Sequence, residues 1–321
     1  MQIEHFRNHL LQALKHASES LIGSRIHLLY VPGFGNPLGL SAANPRKEAI
    51  VHSMVRAGFD RAMVPRVIEL DCRKVASFLL ETHPGFDDPL LESSITHAYG
   101  YTQSQADEER LEPMGRHVAG WIVSKDDVTE IARRLGACGK TFRPPFAGGS
   151  HVDWHDPRLL AQLWPSLGSA QRHLILGTDS VWIAVDAQGC LVHFSHDDRA
   201  PAPDGTDSNA TITLHQASRI QHVELVNHLL ESWREQCAAR RESLPAQATE
   251  RLHEHVDKAR RAGLDACDLQ SYVLFAVSAR EGFEEDSALR AALSSAKEAP
   301  GTLADHLSQL PSEFWERYRA T

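Results

Sequence analysis

Every strand-like run in this chain lies before residue 196, and after residue 213 only helical periodicity is left. Between them stands HDDRAPAPDGTDSNATIT, which is rich in Pro, Asp, Gly and Ser and keeps neither a strand nor a helix period. A chain divided in this way reads as a mixed α/β lobe followed by an all-α lobe. It predicts an α+β protein. An N-terminal mixed α/β lobe with a central sheet is expected over 1–195, a linker over 196–213 and an all-α helical lobe over 214–321. The length of 321 residues agrees with two domains at roughly 150 residues each.

Within the first lobe, Ile3, Phe6, Leu10, Leu14 and Leu21 recur at helical spacing among charged and polar residues, as in a surface helix and not a signal peptide. RIHLLYV (25–31), RVIEL (66–70) and HVAGWIV (117–123) read as strands, and Val75, Phe78 and Leu79 suggest a helix after the second. A helix is expected from Asp87 to about Tyr99, capped by Asp87 or Asp88 with Pro89 in its first turn. Asp126 and Asp127 open another, which Gly136 and Gly139 are expected to close near Leu135. Residues 151–155 read as a strand, and Asp156-Pro157 starts a helix through Leu163. Three strand pieces follow at 173–177, 180–186 and 190–195, the last two joined as a hairpin by DAQG. Past the linker, Ile220, Val223, Val226, Leu229, Leu230 and Trp233 mark one long helix. Further helices are expected over 246–261 and 268–280, stopped by Gly263 and Gly282, and over 286–297, 302–309 and 312–319.

Charge removes two classes of partner. The net charge is −9, and both halves share the acidic excess, so neither is a basic platform for nucleic acid or anionic lipid. Five cysteines, odd in number and without a CxxC pair, argue against a disulfide framework or a zinc ribbon and fit a reducing cytoplasm. The absence of a long apolar run predicts no transmembrane helix.

The 19 histidines invite a metal reading. On a strand, His151, Asp153 and His155 would project to one face, as ligands of a metal-dependent hydrolase would. The plainer reading is that Asp156 caps the helix behind Pro157 while the histidines line a wet strand edge. His193 and His196 end a strand, and His253-Glu254-His255 lacks the HExxH spacing and reads as solvated helix surface. No GxSxG, Walker A or GxGxxG motif occurs. No catalytic residue and no cofactor is therefore expected.

The order of segments then carries more than any one residue. VAGWIVSKDDVTEIARRLG, followed by HDPRLLAQLWPSLGSAQRHLILG, resembles the central block of the adaptor chaperones of type VI secretion. The matching residues are Trp121 and Ser124, then Asp156, Pro157 and Arg158, then Leu163, Trp164 and Leu167, then Gly177. The tail is similar to that family's helical lobe at Gly263, Phe275, Gly282-Phe283, Leu310-Pro311 and Trp315. The resemblance implies a cytoplasmic, non-enzymatic protein that binds a toxic effector and helps load it onto the spike protein (VgrG). Asp156, Pro157 and Arg158 would then set the fold, Arg158 pairing with a carboxylate of the adjoining sheet, while Trp164 and Leu167 face the core. Phe275, Phe283, Phe314 and Trp315 are the candidates for partner contact, although large apolar residues are more often core. An immunity-type binding protein is the other non-catalytic alternative.

Overall fold

A computed structural model describes residues 3–32, 47–51, 64–70, 88–104, 117–141, 154–196, 211–280 and 282–318. The fold is α+β, with one six-stranded sheet in the first part and helices alone in the second. The chain divides into two compact units, Met1–Ile220 and Gln221–Thr321. The helix expected around Phe78, the glycines at 33 and 35 and the residues at 142–150 lie outside the described residues.

In the first unit the sheet order is β2-β3-β1-β4-β5-β6, and every pair is antiparallel. The strands are β1 (Arg25–Tyr30), β2 (Glu48–Ile50), β3 (Arg66–Glu69), β4 (Val118–Ser124), β5 (Ser180–Val185) and β6 (Leu191–Ser195). Alternation along each strand sorts the side chains. Leu28, Tyr30, Ile68, Trp121, Val123, Ile183 and Val185 meet α1 (Ile3–Ser20) and α2 (Pro89–Ser104) in one core, where Phe6, Leu10, Leu14, Leu91 and Ile95 are buried. On the other face lie α3 (Val128–Thr141), against β2 and β3, and α4 (Pro157–Leu163) and α5 (Ser169–Leu176), against β5.

A β-bulge shapes the middle of the sheet. Leu29 pairs with Gly120 and Tyr30 with Val118, so Ala119 is extra, and its carbonyl accepts from Trp182 Nε1 at 3.1 Å. Gly120 has φ +136°, and a Cβ there would collide with Trp182 Nε1 and meet the Ile183 carbonyl at 2.5 Å. Both the dihedral and the space demand glycine. At the sheet's end, the DAQG turn closes the β5–β6 hairpin as expected. Asp186 Oδ1 accepts from Gln188 N at 2.8 Å and Cys190 N at 2.9 Å.

Several expectations are corrected. The segment 173–177 is not a strand but the end of α5, closed by Gly177 at φ 77° with its N–H on the His173 carbonyl. Helix α3 runs on to Thr141, through Gly136 and Gly139, because its last turns pack: Gly136 and Cys138 are buried, and the Cys138 thiol bonds back to the Arg134 carbonyl at 3.3 Å. Trp154 and His155 form a turn, not a strand.

The second unit holds the rest of α6 (Leu214–Ala239), then α7 (Ala248–Arg261), α8 (Ala266–Val277), α9 (Ser287–Glu298), α10 (Leu303–Ser308) and α11 (Ser312–Tyr318). The boundary falls inside α6 because its first turns are tied to the sheet-bearing unit. Thr213 and Gln216 form a capping box at 3.0 and 3.2 Å, the Gln216 amide pairs with that of Gln171 at 3.0 Å, and Arg219 donates to the Gln162 carbonyl at 3.1 Å. In the helical unit, the carboxylate of Asp268 is buried and accepts from the Gly301 and Leu303 N–H groups, at 2.9 and 2.8 Å. That bond set fixes α8 against the start of α10.

Candidate functional site

The residues of the Asp-Pro-Arg motif build a helix start. Asp156 caps α4, with Arg158 N donating to Oδ1 at 2.8 Å, and Pro157 occupies the first turn, where a missing N–H costs nothing. Arg158 pairs with Asp156 itself, Nη2 to Oδ2 at 2.6 Å. A two-residue separation lets the guanidinium fold back on the cap that its own backbone N–H already contacts. Leu167 is buried as expected, whereas Trp164 is only partly so. Its ring lies 5.1 Å from that of Phe194, with the Arg172 guanidinium 5.3 Å over it.

Trp121 and Ser124 also act as joints. The Trp121 indole donates to Ser94 Oγ at 3.0 Å, pinning α2 to the sheet. Ser124 Oγ lies 2.6 Å from Ser180 Oγ and accepts from Asp126 N at 3.1 Å. Asp126 then holds the buried Arg134 at 2.6 Å, and a Cβ on Gly177 would meet that guanidinium at 2.6 Å. Each polar group of this chain of contacts serves another element of the fold.

Of the histidine cluster, His151 and Asp153 lie outside the described residues, and His155 stands in the turn before Asp156. Among the described residues no group of three His, Cys, Asp or Glu side chains is placed to hold a metal ion. His253 and His255 are buried, which corrects the solvated reading of that helix face. The ring of His255 packs against Tyr272 at 6.2 Å and Phe283 at 6.1 Å, because α7 lies against α8 there. Burial, with Lys258 adding to it, lowers the His255 pKa to about 4, so the ring is neutral near pH 7.

The four aromatic candidates come together in the helical unit. Phe275 on α8 packs on Phe314 (5.9 Å, stacked), Trp315 (5.6 Å, edge-on) and Phe283 (5.4 Å, edge-on). Phe283 and Phe314 are buried, so these two are core; Phe275 and Trp315 are partly exposed. Their outer edges, with Tyr318, Ser278, Ala279 and Arg240, line a cavity of about 310 Å³ whose wall is mostly apolar. Local sequence explains the arrangement. Pro311 starts α11 and its carbonyl accepts from Phe314 N at 3.0 Å, and the Tyr318 carbonyl accepts from Arg280 N at 2.8 Å, tying the end of α11 to the end of α8. Phe314 and Tyr318 are four apart, and their rings stand 5.0 Å from each other.

Arg240 enters from the end of α6. That helix stops at Arg241, whose φ of 60° is left-handed, with Glu242 N on the Cys237 carbonyl at 2.8 Å. Sequence reasoning missed Arg240, Ser278 and Tyr318. Helical spacing from Phe314 could have found Tyr318, but nothing local joins Arg240 to α11, some seventy positions on. Compared with known protein families, with curated proteins and with solved structures, the chain matches none.

Proposed function

We propose that this chain is a non-enzymatic adaptor chaperone, which binds a toxic effector in the cytoplasm and helps load it onto the spike protein of a type VI secretion system. The observation that carries the reading is the half-open aromatic cavity at the end of α8 and α11, which uses Phe275 and Trp315, two of the residues that the resemblance singles out. An adaptor needs an accessible apolar recess on a folded body, and large apolar side chains left partly exposed around a recess are more informative than scattered ones. The joints at Trp121 and Ser124, which tie α2 to the sheet and β4 to β5, support the same reading, while Asp156 and Arg158 close the start of α4. The acidic balance of the chain, −9, leaves nucleic acid and anionic membrane as poor partners. Among the described residues no helix is long and apolar enough to cross a membrane.

Capture of the tagged chain from its native host tests the proposal. A spike protein and one neighbouring toxin are expected in the eluate at near-stoichiometric amounts. Recovery of neither overturns the reading, and a single toxin without spike contact would favour an immunity protein.

A further inference from the structure

The cavity carries chemistry beyond its apolar wall. Arg240 is exposed at its edge, and among the described residues it has no carboxylate within ion-pair distance. Two other arginines of this unit are engaged: Arg317 with Asp286 at 3.2 Å and the Tyr318 face, Arg251 with the Val277 carbonyl and the Trp233 face. In a chain with 42 acidic and 33 basic side chains, an unpaired guanidinium beside an aromatic recess is an invitation to an anion. The Ser278 hydroxyl is buried and has no hydrogen-bond partner among the described residues. It lines the same cavity.

Size decides between a whole ligand and an anchor. Clefts for small molecules span roughly 300–1,000 Å³, and this cavity, at about 310 Å³, sits at the bottom of that range. It has room for one large side chain, the usual form of a buried anchor in a protein interface.

We infer that the cavity takes one large apolar side chain, aromatic or long aliphatic, from an acidic segment of a partner polypeptide, with a neighbouring carboxylate of that segment on Arg240. The inference rests on the adaptor reading and gives its docking point a chemistry. Apolar contact with Phe275, Trp315 and Tyr318 supplies the affinity, and the guanidinium selects the charge of the flanks.

Three capped pentapeptides test it on the full-length chain: Gly-Asp-Trp-Glu-Gly, the same with Lys at both acidic positions, and the same with Ala for Trp. Titration is followed by calorimetry and by the indole N–H resonance of Trp315. The acidic Trp peptide is expected to saturate and to shift that resonance. It should bind at least tenfold more tightly than the Ala peptide and about fivefold more tightly than the Lys peptide. Ser278→Leu fills the cavity without removing a packing group, and it should weaken the acidic peptide at least tenfold while the thermal melt stays intact. Arg240→Glu should reverse the preference between the acidic and Lys peptides. Absence of a saturable shift at Trp315, or a charge preference unchanged by R240E, overturns the inference. So does indole-3-acetate binding as tightly as the peptide, which would make the cavity a small-molecule site. A chain that fails here yet still captures spike and toxin loses only the anchor pocket; one that passes here and captures neither loses only the adaptor role.

Discussion

His27 lies fully buried on β1, opposite Ile122 on one side and Glu69 on the other, and neither ring nitrogen has a hydrogen-bond partner among the described residues. Burial dominates and lowers its pKa to about 4; the Glu69, Asp126 and Asp127 charges oppose that and Arg25 assists it. The folded state therefore keeps the ring neutral where the unfolded chain, at about 6.5, already takes up a proton. Stability contributed by the neutral ring is present above pH 6.5 and is lost as pH falls toward 4. His255, lowered to about 4 as well, adds in the same direction. The shift at His27 corresponds to about 3 kcal/mol. His27→Leu should be at least as stable as the parent at pH 7 and should lose much less stability on acidification to pH 4.5, as read from urea midpoints. An equal acid loss in the variant would contradict this. A second single-residue test lies at Arg241, whose left-handed φ of 60° is costly for a side chain with a Cβ. Arg241→Gly should raise stability by about 1 kcal/mol. Neither feature is legible in the sequence: RIHLLYV shows that a histidine alternates with apolar residues, but not that its face is covered, and Arg241 stands where a glycine would have announced the turn.

Caps made the elements readable where the side chain bonds to its own backbone. Asp88, Asp156 and Asp186 do what their neighbours in sequence imply: Asp88 Oδ1 accepts from Leu90 N at 2.9 Å, and the other two start a helix and a hairpin. Helix α5 escaped because His173 to Leu176 holds the residues of a strand, and its start depends on Gln171 reaching back to Gly168 N at 2.9 Å. Gly136 and Gly139 failed as stop signals because packing of α3, not propensity, decides where that helix ends. Asp268 is the clearest long-range case, since its buried carboxylate serves N–H groups more than thirty residues away. Asp268→Ala leaves those donors unpaired and should cost about 3 kcal/mol in chemical unfolding. Asp156→Ala, at the more exposed cap of α4, should cost about 1 kcal/mol.

At the scale of the molecule, the α+β class was written in the order of patterns, strands first and helices after. What the sequence could not convey was the partition inside α6, because the amide pair of Gln171 and Gln216 joins residues that no periodicity relates. The candidate site divides the same way. Phe275, Phe314 and Trp315 stand out by type and spacing, whereas their conversion into a recess with a cation at its edge requires α6, α8 and α11 together. Under the proposed adaptor role, such a recess on an acidic chain would recognise its cargo by shape and one charge. The adaptor role is tested most directly by the exported proteins of the native host after this gene is deleted. One toxin is expected to disappear from the exported set while the spike protein is still exported, and the intact gene should restore it. An exported set unchanged by the deletion would contradict the adaptor role.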